Sequence, residues 1–142
     1  MAFNVLIVDD SSTMRAVIKK IIKVSGFDVG NFLEAGDGLE ALEVLQRDWV
    51  DLVLSDINMP NMNGLELIGK MAEDDMLKSI PVVMVTTEGS EEKVEKSKAL
   101  GAAGYIKKPF LPEDIKVALC DIMGEEIKDG QTDDDESETG DF

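Results

Sequence analysis

The chain predicts a doubly wound α/β fold, a five-stranded parallel sheet with five helices. Short runs rich in Val, Ile and Leu alternate five times with segments of helical periodicity. Several of those runs show little apolar/polar alternation, as expected of parallel strands buried on both faces. A strand–helix–strand order requires right-handed crossovers, which put helices on both sides of the sheet. A length of 142 residues fits one domain with a real core, and neither an internal repeat nor a second domain is visible.

The first strand is expected over Phe3–Val8. Met14, Val17, Ile18, Ile21 and Ile22 follow with i, i+3, i+4, i+7, i+8 spacing. Ser11, Ser12 and Thr13 offer N-caps for that helix, and Gly26 can end it. The second strand, Asp28–Leu33, is the weakest pattern and suits a sheet edge. Leu39, Leu42 and Leu45 mark the second helix, Val50–Ser55 the third strand, and Leu65, Ile68 and Met71 the third helix. Val82–Thr86 is the fourth strand. The segment Ser90–Leu100 is helical with a thin apolar stripe, Val94, Ala99 and Leu100, so its core anchors it weakly and its outer face suits contacts. Gly104–Ile106 is the fifth strand. Ile115, Ala118, Leu119, Ile122 and Met123 form the last stripe, with Pro112 near its start and Gly124 after it. The folded domain is expected to span residues 1–123.

Charge bounds the function. The formal net charge is −16, which disfavours nonspecific nucleic-acid binding. From Gly124 to Phe142 there are nine acids and one base. Low apolar content and like charge there predict a disordered tail, residues 124–142. The longest apolar runs are too short to cross a bilayer. The N-terminal MAFNVLIVDD has no basic region before its apolar run, which argues against a signal peptide. A single cysteine, Cys120, cannot form an internal disulfide and suits a reducing cytoplasm. There is no histidine, so histidine-based catalysis and histidine metal ligation are excluded.

In open α/β sheets the functional crevice lies beyond the carboxyl ends of the strands. The first strand ends in Asp9-Asp10, the third in Asp56, the fourth in Thr86-Thr87, and Lys107-Lys108-Pro109 follows the fifth. Each feature alone reads as a turn or a helix cap. Together they bring three carboxylates, two hydroxyls and a lysine to one edge. Clustered carboxylates repel one another, and oxygen-only ligation suits Mg2+. A carboxylate beside such an ion can attack phosphorus and form an acyl phosphate. The ion and the lysine would spread the charge of the transferring group.

VLIVDDSSTMR, LVLSDINMPNMNGLEL, VVMVTTEG and GAAGYIKKPF, in this order and spacing, resemble the receiver domain of bacterial response regulators. The resemblance covers roughly Phe3 to Met123 and is nearest to the single-domain chemotaxis regulators. It implies a flavodoxin-like strand order of 2-1-3-4-5, which is a property of the family. It implies that Asp56 takes a phosphoryl group from a sensor histidine kinase. By the same resemblance Asp9, Asp10, Asp56 and the Asn58 carbonyl hold Mg2+, and Lys108 pairs with the phosphoryl group. Thr86 is then the switch hydroxyl, and Tyr105 the aromatic residue that follows it. The Lys108–Pro109 bond is expected to be cis. Asn58 and Glu88 match positions that tune loss of the phosphoryl group. Thr87 stands where a smaller residue is more familiar, which implies restricted access to Asp56. The partners implied are a histidine kinase, a possible phosphatase and an output protein such as the flagellar motor switch. The output protein would dock on the face formed by Ser90–Leu100, Gly104–Ile106 and Ile115–Met123.

Other roles weigh less. A phosphorelay intermediate or phosphate sink shares every residue above. A Mg2+-dependent phosphatase of the haloacid dehalogenase type needs a second Asp two residues after the nucleophile, where Asn58 stands and cannot act as an acid. A flavodoxin-like cofactor binder needs a phosphate loop after the first strand, where Asp9-Asp10-Ser11-Ser12 stands. The protein is therefore expected not to be an enzyme beyond its own phosphorylation and dephosphorylation.

Overall fold

The computed structural model describes residues 2–87 and 90–124. Glu88 and the tail beyond Gly124 lie outside the described residues. Five strands and five helices alternate: β1 (Phe3–Val8), α1 (Ser12–Ser25), β2 (Val29–Ala35), α2 (Gly38–Arg47), β3 (Leu52–Ser55), α3 (Gly64–Ala72), β4 (Val82–Thr86), α4 (Glu91–Ala99), β5 (Gly104–Lys107) and α5 (Pro112–Met123). The sheet order is β2-β1-β3-β4-β5 with every pair parallel. The weak second strand is indeed at an edge.

The unalternating strands are explained by two cores. Successive residues of a strand point to opposite faces. In β1, Val5 and Ile7 join Ile18 and Ile22 of α1 and Ile115 and Leu119 of α5, whereas Leu6 and Val8 join Ala41, Val44, Leu65 and Ile68 of α2 and α3. Both faces of β1, β3 and β4 are therefore apolar.

Local chemistry sets the helix ends. Ser11 caps α1 by accepting from the Met14 N–H at 3.2 Å, and Gly26 closes it in the left-handed region, φ 87°. Asn63 and Glu66 form a reciprocal capping box at α3. Pro112 starts α5, and Gly124 ends it with φ 73°.

Several details depart from the sequence pattern. β2 runs on to Ala35 and β5 to Lys107, while β3 begins only at Leu52. Before it, Asp51 turns its carboxylate back to accept the Asn4 N–H at 2.8 Å. In α4 the inward position belongs to Ser97, which is fully buried, and Ala99 faces solvent. Ser97 tolerates burial because its hydroxyl donates to the Val94 carbonyl at 2.8 Å. Leu39 and Val17 lie on expected stripes but are 50% and 43% exposed. In α2 the inward positions are Gly38, Ala41, Val44 and Leu45, so Leu39 falls outside that arc.

Burial makes neighbouring positions of α5 differ. Leu119→Ala removes a fully buried side chain and should cost roughly 2–5 kcal/mol. Val117→Ala, at a 54% exposed position, should stay within about 0.5 kcal/mol. Urea unfolding of both variants measures the contrast.

Candidate functional site

The parallel register carries the strand ends to one edge. Val8 pairs with Ser55, and Thr86 with Lys107. Backbone bonds extend the alignment one residue further: the Asp56 N–H donates to the Val8 carbonyl at 2.9 Å, and the Lys108 N–H to the Thr86 carbonyl at 2.8 Å. Asp9, Asp10 and Asp56 thereby converge, each offering a carboxylate oxygen within 4.8 Å of the others. Asp9 is buried, Asp56 half-buried and Asp10 exposed. Lys108 reaches in from the far side, its Nζ 3.1 Å from Asp9 Oδ2 and 3.9 Å from Asp56 Oδ2.

Each inner carboxylate is oriented by a backbone donor. Asp9 Oδ1 accepts the Ser11 N–H at 2.9 Å, and Asp56 Oδ1 accepts the Ile57 N–H at 2.8 Å. The Oδ2 atoms are left to face Lys108. Two carboxylates at 4.8 Å or less repel by about 3 kcal/mol or more at an effective dielectric constant near ~20. One ammonium among three carboxylates leaves about two negative charges uncompensated. The oxygen-only donor set and that deficit fit Mg2+ and no soft metal.

The turn after Asp56 is built around close approaches. A Cβ at Gly64 would stand 2.2 Å from the Asp56 carbonyl oxygen, so only glycine fits. Its N–H donates to the Ile57 carbonyl at 2.8 Å. Asn61 adopts φ 66° and donates to Asp37 Oδ2 at 2.7 Å, which fastens the turn to the start of α2. The Asp37 carboxyl is held below the usual carboxylate range, first by the Glu40 N–H and then by Asn61. Asn58 is exposed in this turn.

The other expected residues fall in distinct places. Thr86 is fully buried at the end of β4. Tyr105 is half-buried on the edge strand β5, paired with Met84 and packed on the α2/α3 core. Thr87 is exposed and lines an apolar groove of about 300 Å³ with Met14, Val17, Ile21, Lys108 and Phe110. The Lys108–Pro109 bond is cis.

The sequence pattern did not single out Arg15. Its guanidinium donates to the Asp9 carbonyl and, through Nε, to Glu34 Oε1 at 2.8 Å. Lys19 holds Glu34 Oε2 at 2.7 Å. The link joins residues 19 apart on a helix and an edge strand, so no local signal marks it. Hydrogen bonds from Lys19 and then Arg15 hold the Glu34 carboxyl below its ordinary 4.5. A depressed carboxyl contributes stability that is complete above 4.5 and is lost as pH falls through the folded-state value. Glu34→Gln should therefore flatten the acid side of the stability curve, read from urea midpoints between about pH 3 and 6.

Comparison with known proteins agrees with this geometry. The family model described as "Response regulator receiver domain" matches residues 5–120. The chain is 42% identical over 120 residues to Chemotaxis protein CheY-3 of Vibrio cholerae, covering 84% of this chain and 91% of that one. It is 42% identical over 122 residues to a CheY homolog of Campylobacter jejuni, covering 85% and 92%. Among solved structures, CheY4 of Vibrio cholerae superposes with a TM-score of 0.76 at 36% identity, covering 86% of this chain and 99% of that one. The CheY of a CheX-CheY-BeF3-Mg2+ complex from Borrelia burgdorferi gives 0.76 at 31% identity, covering 85% and 89%. The chain belongs to the response regulator receiver family.

Proposed function

We propose that this receiver accepts a phosphoryl group on Asp56 from the phosphohistidine of a sensor kinase, with Mg2+ as cofactor, and signals by binding a partner protein. The observation that carries this reading is the cluster of Asp9, Asp10 and Asp56 carboxylates within 4.8 Å, with Lys108 reaching two of them. Asp56 Oδ1 is pinned by the Ile57 N–H, so Oδ2 is the free nucleophile. It attacks phosphorus, the P–N bond breaks, and its electron pair returns to the donor imidazole. Lys108 offers its ammonium to the transferring oxygens. Asp9, Asp10, Asp56 and the Asn58 carbonyl would hold Mg2+, which supplies charge neutralisation at the phosphoryl oxygens. The protein acts on itself and turns over no separate substrate.

The readout is a shift between two states. The Thr86 hydroxyl moves toward the phosphoryl group, and Tyr105 follows. The surface they alter is built from α4, β5 and α5. Its support is the weak anchoring of α4, whose only buried side chain is Ser97. Asn58, Thr87 and Glu88 tune access of water to the acyl phosphate. The relatives named above are chemotaxis proteins, which favours control of a flagellar motor from the cytoplasm. The Borrelia CheY forms a complex with CheX, so a CheX-like partner is a further candidate here. Among the described residues no helix is long and apolar enough to cross a membrane.

Incubation with acetyl phosphate and Mg2+ should add one phosphoryl group by intact-mass spectrometry. Asp56→Asn and EDTA should each abolish the gain. Lys108→Ala should slow it about 10²-fold or more. Modification of Asp56→Asn at the wild-type rate would overturn the assignment.

A further inference from the structure

Helix α1 is the basic element of an acidic chain. Its 14 residues include Arg15, Lys19, Lys20 and Lys23 and no acid, within a sequence of net charge −16. Glu34 takes up Arg15 and Lys19. Lys20 forms no ion pair among the described residues, and Lys23 lies only over the Phe32 ring, 5.9 Å from its centroid. The spacing i, i+3, i+7 places Val17, Lys20 and Val24 in one stripe. Val17 and Val24 are 43% and 67% exposed. The outer surface of α1 is therefore apolar and positively charged at once.

The chain carries a segment of matching chemistry. Residues 125–142 contain nine acids and one lysine, with Ile127 and Phe142 as large apolar side chains. This segment follows Gly124, the cap of α5, the helix that packs against α1. α1 and α5 pack together and both run against the strands, so both end at the same edge of the sheet. Eighteen residues can extend up to about 60 Å, and α1 is only about 21 Å long.

We propose that residues 125–142 dock back along α1, with their carboxylates on Lys20 and Lys23 and an apolar side chain on the Val17–Val24 stripe. The rival lysines of α4 fit less well. Lys93, Lys96 and Lys98 are already matched in number by Glu91, Glu92 and Glu95, and no large apolar side chain of α4 is exposed. The docking does not depend on the phosphoacceptor reading.

The test uses the full chain with a nitroxide on Ser137→Cys; Cys120, 3% exposed, is shielded from the reagent. Amide NMR at low salt should show broadening along Val17–Val24, reaching to the middle of α1. That broadening should vanish in about 1 M salt, where charges are screened beyond ~3 Å. It should vanish equally in K20E/K23E. Both side chains are exposed, so the remaining spectrum should superpose on wild type and report an intact fold. Neutralising Asp133, Asp134 and Asp135 to Asn, which leaves α1 untouched, must also relieve it. Broadening that persists in both charge variants, is centred on Lys93–Lys98, or is spread evenly over the surface would overturn the proposal.

Discussion

Electrostatic repulsion at one edge of the sheet is the constraint around which this molecule is arranged. A parallel sheet brings all its strand ends to the same side, and here the ends carry Asp9, Asp10 and Asp56. Such a cluster holds only where each charge is answered. Lys108 answers two of them, and the backbone N–H groups of Ser11 and Ile57 answer one oxygen each. The remaining deficit, with oxygen-only donors, is compatible with a hard divalent cation such as Mg2+.

Holding the carboxylates in place falls to the surrounding backbone. Gly64 lets the start of α3 return to within bonding reach of the Asp56 peptide, which no larger residue permits. Asn61 and Asp37 join that turn to α2, and Arg15 and Glu34 join the Asp9 peptide to β2. The site thus rests on four elements that contribute no ligand, α1, α2, α3 and β2. The two cores beneath it are nearly continuous apolar layers, which keeps the strand ends rigid. α4 is the exception. Half-buried Val94 and Leu100 and the small Ser97 hold it, so it is the helix whose displacement disturbs least buried surface.

Charge is segregated over the surface as well. Carboxylates gather at the functional edge and lysines in the helices' last turns, as helix dipoles favour. α1 goes further, since it has no acid anywhere in its length.

Much of this was legible in the sequence. The five apolar runs, the five helical stripes, the caps at Ser11 and Gly26 and the carboxylates at strand ends are local signals, because strand and helix periodicities and turn chemistry act over a few residues. The strand order and the cis Lys108–Pro109 bond came through resemblance to a family, since spacing alone orders no sheet. Only the tertiary structure decided what depends on approach between distant segments. It made Ser97 rather than Ala99 the buried residue of α4, left Leu39 and Val17 at the surface, and tied Arg15 to Glu34 and the Asp9 carbonyl. A helix stripe says which residues share a face. Which arc of that face meets the sheet is set by packing, and packing is a property of the whole chain.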